Sequence, residues 1–452
     1  MSDVRVAVIG GGLAGITAAL DCADAGTAVT LFESRSQLGG ATFSIERNGY
    51  RLDNGQHVAL RCCTSYRALL RRLGVEHKLA MQPRLRIDVL APGGRTAVLD
   101  RTALPAPLHL GAALLRYRHL TPVERARAAQ AVLALRKLDP ADSRLDDQTF
   151  GAWLRAHGQS ARAIECLWNL ITLPTLNIHA EDASLQLATF VFRTGLLDES
   201  DACDIGVPQV PLSQLHGEPA AAALAERGVE VLLKTRVERV DPAEGGFAVA
   251  AGDASAAFDR VIVAVPHTVA PSLLPDGIVD ADALAQLGQS PIVNVHLHYD
   301  RRVLDRPFVA AVDSPLQWIF DRTASAGVDR GQLISISISG ADREQDRSRD
   351  ELVAESTRAL AALLPQAGAA QLLDGTVTRE PRATFRAGPG VSRRRPPAAT
   401  ALAGLALAGA WTDTGWPATM EGAVRSGHAA ASAVLATPDA ARRSTRRLDA
   451  AA

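Results

Sequence analysis

The sequence predicts an α/β nucleotide-binding fold into which an α+β unit of helices and antiparallel sheet is inserted. Three observations carry that reading. A short apolar run, Arg5-Val6-Ala7-Val8-Ile9, passes directly into Gly10-Gly11-Gly12-Leu13-Ala14-Gly15 and then into a helix-forming stretch from Ile16 to Ala25. A second buried-strand pattern, Ala28 to Phe32, ends at the acid Glu33, eighteen residues past Gly15. Between this start and a last buried strand at Leu405 to Ala408, the chain turns first helical and then strongly alternating.

The opening is therefore strand, tight turn and helix, a Rossmann-like unit. Gly10 permits the turn, and Gly12 lets backbone approach a pyrophosphate with no Cβ in the way. Gly15 lets the helix pack closely on the strand, so an anion can sit at the helix N-terminus beside Leu13 and Ala14. Glu33 is placed to accept hydrogen bonds from a ribose hydroxyl. Arg35 and the pair Gly39-Gly40 follow, the pair suggesting a further close backbone approach. A hairpin is expected with Thr42 to Glu46 and Tyr50 to Asp53 around the turn Arg47-Asn48-Gly49, then a helix from Ser65 to Leu73 ended by Gly74. Strands are expected between Met81 and Leu99.

From Leu104 to Leu138 the pattern is helical and broken by Pro105, Pro107 and Pro122, with further helices at Thr149 to Arg155, Ala161 to Ile171 and Leu185 to Phe192. The leucines of the 104–120 stretch, flanked by Arg116, Tyr117, Arg118 and His119, suit either a membrane surface or the core. Short strands follow at Val231 to Leu233, Val237 to Val240, Phe247 to Ala250 and Asp259 to Pro266. Alternating strands then run at Pro291 to Tyr299, Phe308 to Val312, Gln317 to Asp321 and Gln332 to Ser339, with a helix from Arg349 to Leu364. A final helix starts near Met420. The nucleotide-binding unit is thus expected in three parts, 1–85, 205–288 and 386–437. A substrate domain fills 86–204, mainly helical, and 289–385, mainly sheet; the tail, 438–452, is expected to be disordered.

At 452 residues, 47% hydrophobic and 21% charged, the chain suits two globular domains, and a net charge of −1 offers nothing to nucleic acid. Five cysteines, with an adjacent pair but no Cys-x-x-Cys, favour a reducing compartment, and cytoplasm is the expectation. No metal-ligand spacing is present. The nucleotide strand begins within three residues of the N-terminus, so no cleavable leader is expected.

Three dispersed patterns converge: the opening glycines, Arg35 with Gly39-Gly40, and Gly409-Ala410-Trp411-Thr412-Asp413 followed by the Trp416 to Gly427 stretch. Together they make the sequence resemble the FAD-dependent amine oxidase and phytoene desaturase superfamily over about residues 4 to 435. The resemblance implies a glutathione-reductase-like FAD-binding domain. By position it implies that Glu33 takes the adenosine ribose, that Arg35, Gly39 and Gly40 line the pyrophosphate path, and that the Val237 backbone meets adenine. It further implies that Gly55, Gln56, His57 and Val58, with Met420, Glu421 and Ala423, hold the flavin ring, and that Gly409 and Asp413 face the ribityl or phosphate-linked hydroxyls. Ala41 departs from the arginine that amine oxidases commonly have there. Thr419 replaces an aromatic of the amine cage, and none of Lys78, Lys137 or Lys234 lies in a stretch expected to face the flavin, so the pocket is not expected to serve amines.

Four blocks, Asp53 to His57, Leu167 to Asn177, Pro315 to Arg322 and Gly415 to Thr419, are similar to the bacterial hydroxysqualene dehydroxylase family. That resemblance implies reductive removal of an allylic hydroxyl from a long apolar isoprenoid, hydroxysqualene, with electrons from a donor outside the chain. Such chemistry asks for help to the departing hydroxyl, stabilisation of an allylic cation, and a hydride. His57 can donate the proton with Asp53 or Gln56 orienting it, or the loop can serve FAD through backbone alone. Trp168, Trp318 and Phe320 can face a cation or can be core, and Trp416 and Thr419 are expected beside the substrate. A carotenoid-type desaturase is the enzymatic alternative; a flavin-holding isoprenoid carrier is the non-enzymatic one.

Overall fold

The structure, a computed structural model, describes residues 4–47 and 49–438. Asn48 of the expected hairpin turn and the expected tail beyond Pro438 lie outside the described residues. Strands β1 (Arg5–Ile9) and β2 (Ala28–Phe32), with the helix α1 (Leu13–Asp24) between them, start a five-stranded parallel sheet. Its order is Glu230–Leu232, β2, β1, Arg260–Val263 and Leu405–Leu407, so three distant stretches of chain build one sheet. Both faces are covered, as a parallel sheet requires. Val6 and Val8 of β1 pack with Ile16 and Leu20 of α1, whereas Ala7 and Ile9 join Val240, Phe247 and Phe258 from the antiparallel meander on the other face. The C-terminal helix Met420–Leu435 lies against α1 so closely that a Cβ on Gly427 would fall 2.4 Å from the Ala14 carbonyl oxygen.

The hairpin β3 (Ser44–Arg47) and β4 (Tyr50–Asp53) leads to the helix α2 (Thr64–Arg72). Arg86–Ala91 and Arg95–Asp100 join the second large sheet, of seven strands. Its order is Leu372–Thr384, Ser290–Tyr299, Gln332–Ser339, Trp318–Asp321, Phe308–Ala311, Arg86–Ala91 and Arg95–Asp100. Its pairs are antiparallel except Phe308–Ala311 beside Arg86–Ala91. The strand Leu372–Thr384 is absent from the sequence expectations because its face carries Asp374, Thr376, Thr378 and Glu380 in place of an apolar stripe. The expected strand from Val237 also begins late, at Arg239, leaving Val237 outside any ladder. The helical region comprises α3 (Gly111–Arg116), α4 (Pro122–Leu135) and the helices Phe150–Ala156, Asn169–Leu176 and Leu185–Phe192. The helix expected over Ala161 to Ile171 widens into a π-turn at Ile164–Trp168. No described helix is long and apolar enough to cross a membrane.

A buried ion pair fastens the hairpin to the seven-stranded sheet. Arg322 Nη2 lies 2.9 Å from Asp53 Oδ2, while Nη1 donates to the Pro208 carbonyl at 2.7 Å. Asp53 Oδ1 accepts from the Leu212 amide at 2.9 Å and from Ser44 Oγ at 2.8 Å. Removing one partner of such a pair leaves the other charge buried and alone, which costs about 3–5 kcal/mol. Asp53→Ala should therefore lower the urea midpoint of unfolding strongly, and a midpoint equal to that of the parent would show that the pair carries no stability.

Two histidines are buried elsewhere in the fold, one of them near Arg322. His296 sits 2.8 Å from Ser335 Oγ and 3.2 Å from Thr378 Oγ1, and burial, with the Arg322 charge, pushes its pKa down to about 4. Burial, with His57 nearby, pushes His216 to about 3, and the Tyr66 hydroxyl lies 2.8 Å from its Nε2. In the unfolded chain both imidazoles take a proton near the ordinary value of about 6.5, so the unfolded state binds more protons and stability falls as pH drops below that value. By pH 5 each should contribute about 2 kcal/mol of loss. Carboxylates such as Asp313, held low by Arg162, lose their contribution only in more acid solution. The urea midpoint is accordingly expected to be clearly lower at pH 5 than at pH 7.5, and a flat profile between them would contradict neutral burial of these rings.

Candidate functional site

Two glycine segments abut backbone to backbone. A Cβ on Gly10, at φ +111°, would lie 2.4 Å from the Ala264 carbonyl oxygen. Gly39 pairs with Gly12 and donates its amide to the Gly11 carbonyl at 2.8 Å, and a Cβ on Gly40 would reach within 2.7 Å of Gly12 Cα. The close approach expected of Gly39-Gly40 is thus first of all to the other glycine loop. Gly15 lies inside α1, which starts earlier than expected, and a Cβ there would meet the Gly10 carbonyl oxygen at 1.9 Å. No side chain caps α1 at Gly12, and among the described residues the Leu13, Ala14 and Gly15 amides have no protein acceptor. That leaves three aligned donors at the positive end of a helix dipole.

Glu33 is buried beside them. Its Oε2 accepts the Gly11 amide and its Oε1 the Arg35 amide, each at 2.7 Å; Oε1 also takes Ser34 Oγ at 3.2 Å, which leaves the second acceptor site of Oε2 for a ligand. Arg35 donates from Nη1 to the Gly40 carbonyl at 3.0 Å and lies over the Phe43 ring. The Thr235 amide bonds to the Glu33 carbonyl, and Val237, buried just beyond it, has neither its amide nor its carbonyl paired to protein among the described residues. A buried backbone edge of this kind leaves a donor and an acceptor that a ligand can pair.

At the opposite end, Gly409 donates its amide to Ser426 Oγ at 2.8 Å. Thr419 caps the C-terminal helix, its Oγ1 accepting the Gly422 amide at 3.1 Å, and the Met420 and Glu421 amides have no protein acceptor among the described residues. The Glu421 carboxylate turns away from this end to cap α2, accepting the Tyr66 amide at 2.7 Å, the Ser65 amide at 3.1 Å and Arg425 Nε at 2.7 Å. The Glu421 side chain is thus committed within the protein, and only its backbone amide is left for a ligand. Met420 and Ala423 pack into the core beneath. Asp413 is exposed and bonds within its own loop to the Gly415 amide. It lines a 250 Å³ cavity with Arg395, Gln186 and Phe190. Arg395, which sequence reasoning missed, is buried and donates to the Ala410 and Thr412 carbonyls and to Thr414 Oγ1, holding the loop that ends at Asp413. Burial pulls its pKa down to about 10, against the pull of Asp413 and Asp146. Nothing in Arg393-Arg394-Arg395 marks which arginine turns inward.

The Gly55 to Val58 loop is bolted to the polar face of the seven-stranded sheet. The Asn54 carbonyl accepts Asn294 Nδ2 at 3.1 Å and Thr378 Oγ1 at 2.9 Å, while Asn54 Nδ2 donates to Glu380 Oε1 at 3.0 Å. Gln56 Nε2 and Asn294 Oδ1 are buried without partners among the described residues. His57 donates from Nδ1 to the Gly55 carbonyl at 3.0 Å, which leaves Nε2 an acceptor in the neutral ring. Burial lowers its pKa below the ordinary imidazole value, although the Asp53 and Glu380 charges pull it up. The expected support of His57 by Asp53 or Gln56 is overturned: Asp53 is committed to Arg322, Leu212 and Ser44, and Gln56 makes no bond to the ring. A neutral His57 accepts at Nε2 and is no ready acid.

Of the expected substrate aromatics, Trp168 belongs to the core. Its Nε1 donates to Gln159 at 2.9 Å and its ring is enclosed by Phe150 and Phe192, so no face is left for a ligand. Phe320 is buried, and half-buried Trp318 stacks on it with centroids 6.3 Å apart. Both lie in an apolar cluster that takes in Val58, Leu60, Leu167 and Leu196 and so reaches the His57 loop. Trp416 meets Phe190 edge-on, with Arg425 over its face.

Unpaired donors at two helix starts, the orphaned Val237 edge and a cradle of glycines fit an extended dinucleotide. The flavin containing amine oxidoreductase family matches residues 13–435. A protein of Rhodopseudomonas palustris named hydroxysqualene dehydroxylase is 31% identical, over 95% of this chain and 98% of its own length. A probable zeta-carotene desaturase of Synechococcus elongatus is 26% identical over 96% of this chain and 98% of its own. Among solved structures, a redesigned putrescine oxidase superposes with a TM-score of 0.74 at 20% identity, covering 96% of this chain and 99% of that one. That likeness bears out the expected fold, a nucleotide-binding domain with a second domain set into it. The chain accordingly belongs to the flavin containing amine oxidoreductase family and, within it, to the hydroxysqualene dehydroxylases.

Proposed function

We propose that the protein reductively removes the hydroxyl group of hydroxysqualene to give squalene in bacterial squalene and hopanoid biosynthesis. The observation that carries this reading is the full-length likeness to a hydroxysqualene dehydroxylase together with a site that lacks an amine cage: Thr419 uses its hydroxyl to cap a helix, and the apolar cluster of Trp318 and Phe320 reaches Val58. In balance, an alcohol, two electrons and two protons give a hydrocarbon and water. FAD, when bound and reduced, supplies hydride from its ring. The chain's own part is to hold and orient. The amides at the start of α1 take the pyrophosphate, Glu33 the ribose, the Val237 edge the adenine, and the Met420 and Glu421 amides the negative charge of the reduced ring. The sheet fixes the Gly55 to His57 loop through Asn54. Gln56, with a buried carboxamide donor lacking a partner, can hydrogen-bond the departing oxygen, and His57 Nε2 can accept from the hydroxyl of the bound alcohol; the second proton, which makes the leaving group water, comes from solvent.

A carotenoid-type desaturase is the second reading, favoured by the likeness to a zeta-carotene desaturase. The electron donor lies outside the chain, and the five free cysteines favour a reducing compartment such as the cytoplasm.

Anaerobic photoreduction of the purified flavoprotein in the presence of hydroxysqualene should yield squalene, identified by mass spectrometry as the product lighter by one oxygen. Turnover that instead needs an oxidant and yields a more unsaturated polyene would move the assignment to the desaturases. Glu33→Ala should weaken FAD retention by about 1–3 kcal/mol, as for a lost charge-assisted hydrogen bond. An unchanged flavin dissociation constant would place the adenosine elsewhere.

A further inference from the structure

Among the described residues seven large apolar side chains are exposed, and five of them fall in one stretch: Leu104 at 52%, Leu108 at 61%, Leu115 at 73%, Val123 at 60% and Leu133 at 54%. Single exposed leucines are ordinary; a run of them on a short turn and two neighbouring helices is not. The stretch is pinned from its other side. Tyr117 donates to the Cys166 carbonyl, His119 Nε2 donates to the Val89 carbonyl at 3.0 Å, and Ala113 and Leu120 are buried. Tyr117 and His119 are therefore not the surface anchors the sequence suggested, and Leu110 and Leu114 are half-buried. His109, between two of these leucines, is buried, and burial lowers its pKa, so no charge faces outward from it.

The surroundings are basic. Arg116, Arg118, Arg127, Arg136 and Lys137 are exposed. Between 104 and 138 the one acid is Glu124, whose carboxylate is tied into the capping box with Thr121 and to Ser160. Of these five cations, Arg116 alone has a carboxylate partner among the described residues, Asp100 at 3.0 Å. Beneath the face, Leu110 packs into the same apolar cluster as Leu60, Trp318 and Val58, so the exposed leucines back onto the apolar zone that reaches the flavin loop.

We propose that the 104–133 face docks on an anionic lipid bilayer, with Leu104, Leu108, Leu115 and Val123 among the acyl chains and the arginines at the headgroups, and that an apolar substrate enters beneath it. The docking follows from the surface alone; the entry route rests on the isoprenoid reading given above. A bilayer is the occupant that matches both an apolar centre and a cationic rim without a matching acid on this chain.

The test is flotation of the FAD-loaded protein with vesicles of phosphatidylcholine, with and without phosphatidylglycerol. The parent protein should float with the anionic vesicles, and Leu104→Ser with Leu108→Ser and Leu115→Ser should reduce the vesicle-bound fraction at least tenfold. Arg118→Glu with Arg127→Glu should remove the preference for phosphatidylglycerol. Leu373→Ser, an exposed leucine elsewhere, should change nothing. All three leucines are more than half exposed, so the triple variant should keep its flavin and its melting temperature; it should turn over substrate dispersed in detergent and lose turnover only from vesicles. A parent protein that stays at the bottom of the gradient, or a triple variant that floats equally well, overturns the proposal. So does a triple variant that turns a dimer into a monomer without changing flotation, which would make this face a contact between two copies. Flotation as expected without turnover of hydroxysqualene by the parent would leave the docking intact and reject the substrate.

Discussion

The attachment of Asn54 to the seven-stranded sheet is the constraint on which the site depends. One main-chain carbonyl receives two side-chain donors, Asn294 and Thr378, from adjacent strands, while the Asn54 carboxamide reaches Glu380 on the second of them. Asn54 and Asn294 are buried and Thr378 and Glu380 partly so, where a hydrogen bond is stronger and an unpaired group is more costly than at the surface. The Asp53–Arg322 pair, one residue away, adds a charged fastening between the same parts. The Gly55 to Val58 loop hangs from this seam, so the relation between the nucleotide sheet and the apolar substrate zone is set by a few polar contacts. The interlocked glycine segments then fix the other end of the cofactor path, where backbone meets backbone and no side chain can intervene.

Much of this was legible in the sequence, and the reasons are local. The strand Ala28–Phe32, the strand Gln332–Ser339 and the start of the last helix at Met420 stand where the pattern places them, because burial there writes its period directly into the residues. The likeness of fold and family followed from glycines whose spacing has a mechanical cause. What was not legible is what depends on partners far away in the chain. Leu372–Thr384 reads as a polar loop until it is seen facing Asn54. Trp168 and Trp318 look alike as aromatic candidates, yet one is sealed among Phe150 and Phe192 and the other borders the apolar zone. Asp53 beside His57 suggests a dyad, and only the arrival of Arg322 from 269 residues away removes the carboxylate from that role.

The same logic separates side chain from backbone at the flavin end. Glu421 and Thr419 look like ligand-facing polar residues, but their oxygens are committed to helix starts, α2 for one and the C-terminal helix for the other. What remains for a ligand is the row of unpaired amides, which has no signature in side-chain chemistry. A site built from main chain in this way tolerates variation in the residues around it as long as the turn geometry holds.

The order of strands in the parallel sheet carries a consequence for biogenesis. Its central strand β1 emerges first from the ribosome, but its neighbours include Arg260–Val263, and the edge is closed by Leu405–Leu407, close to the end of the chain. The helix that covers α1, through the contact at Gly427, comes later still. Contacts of such sequence separation form slowly, and the apolar face of β1 and α1 stays uncovered while several hundred residues are made. The nascent chain is therefore a natural client for chaperones until Arg260–Val263 and Leu405–Leu407 have been made.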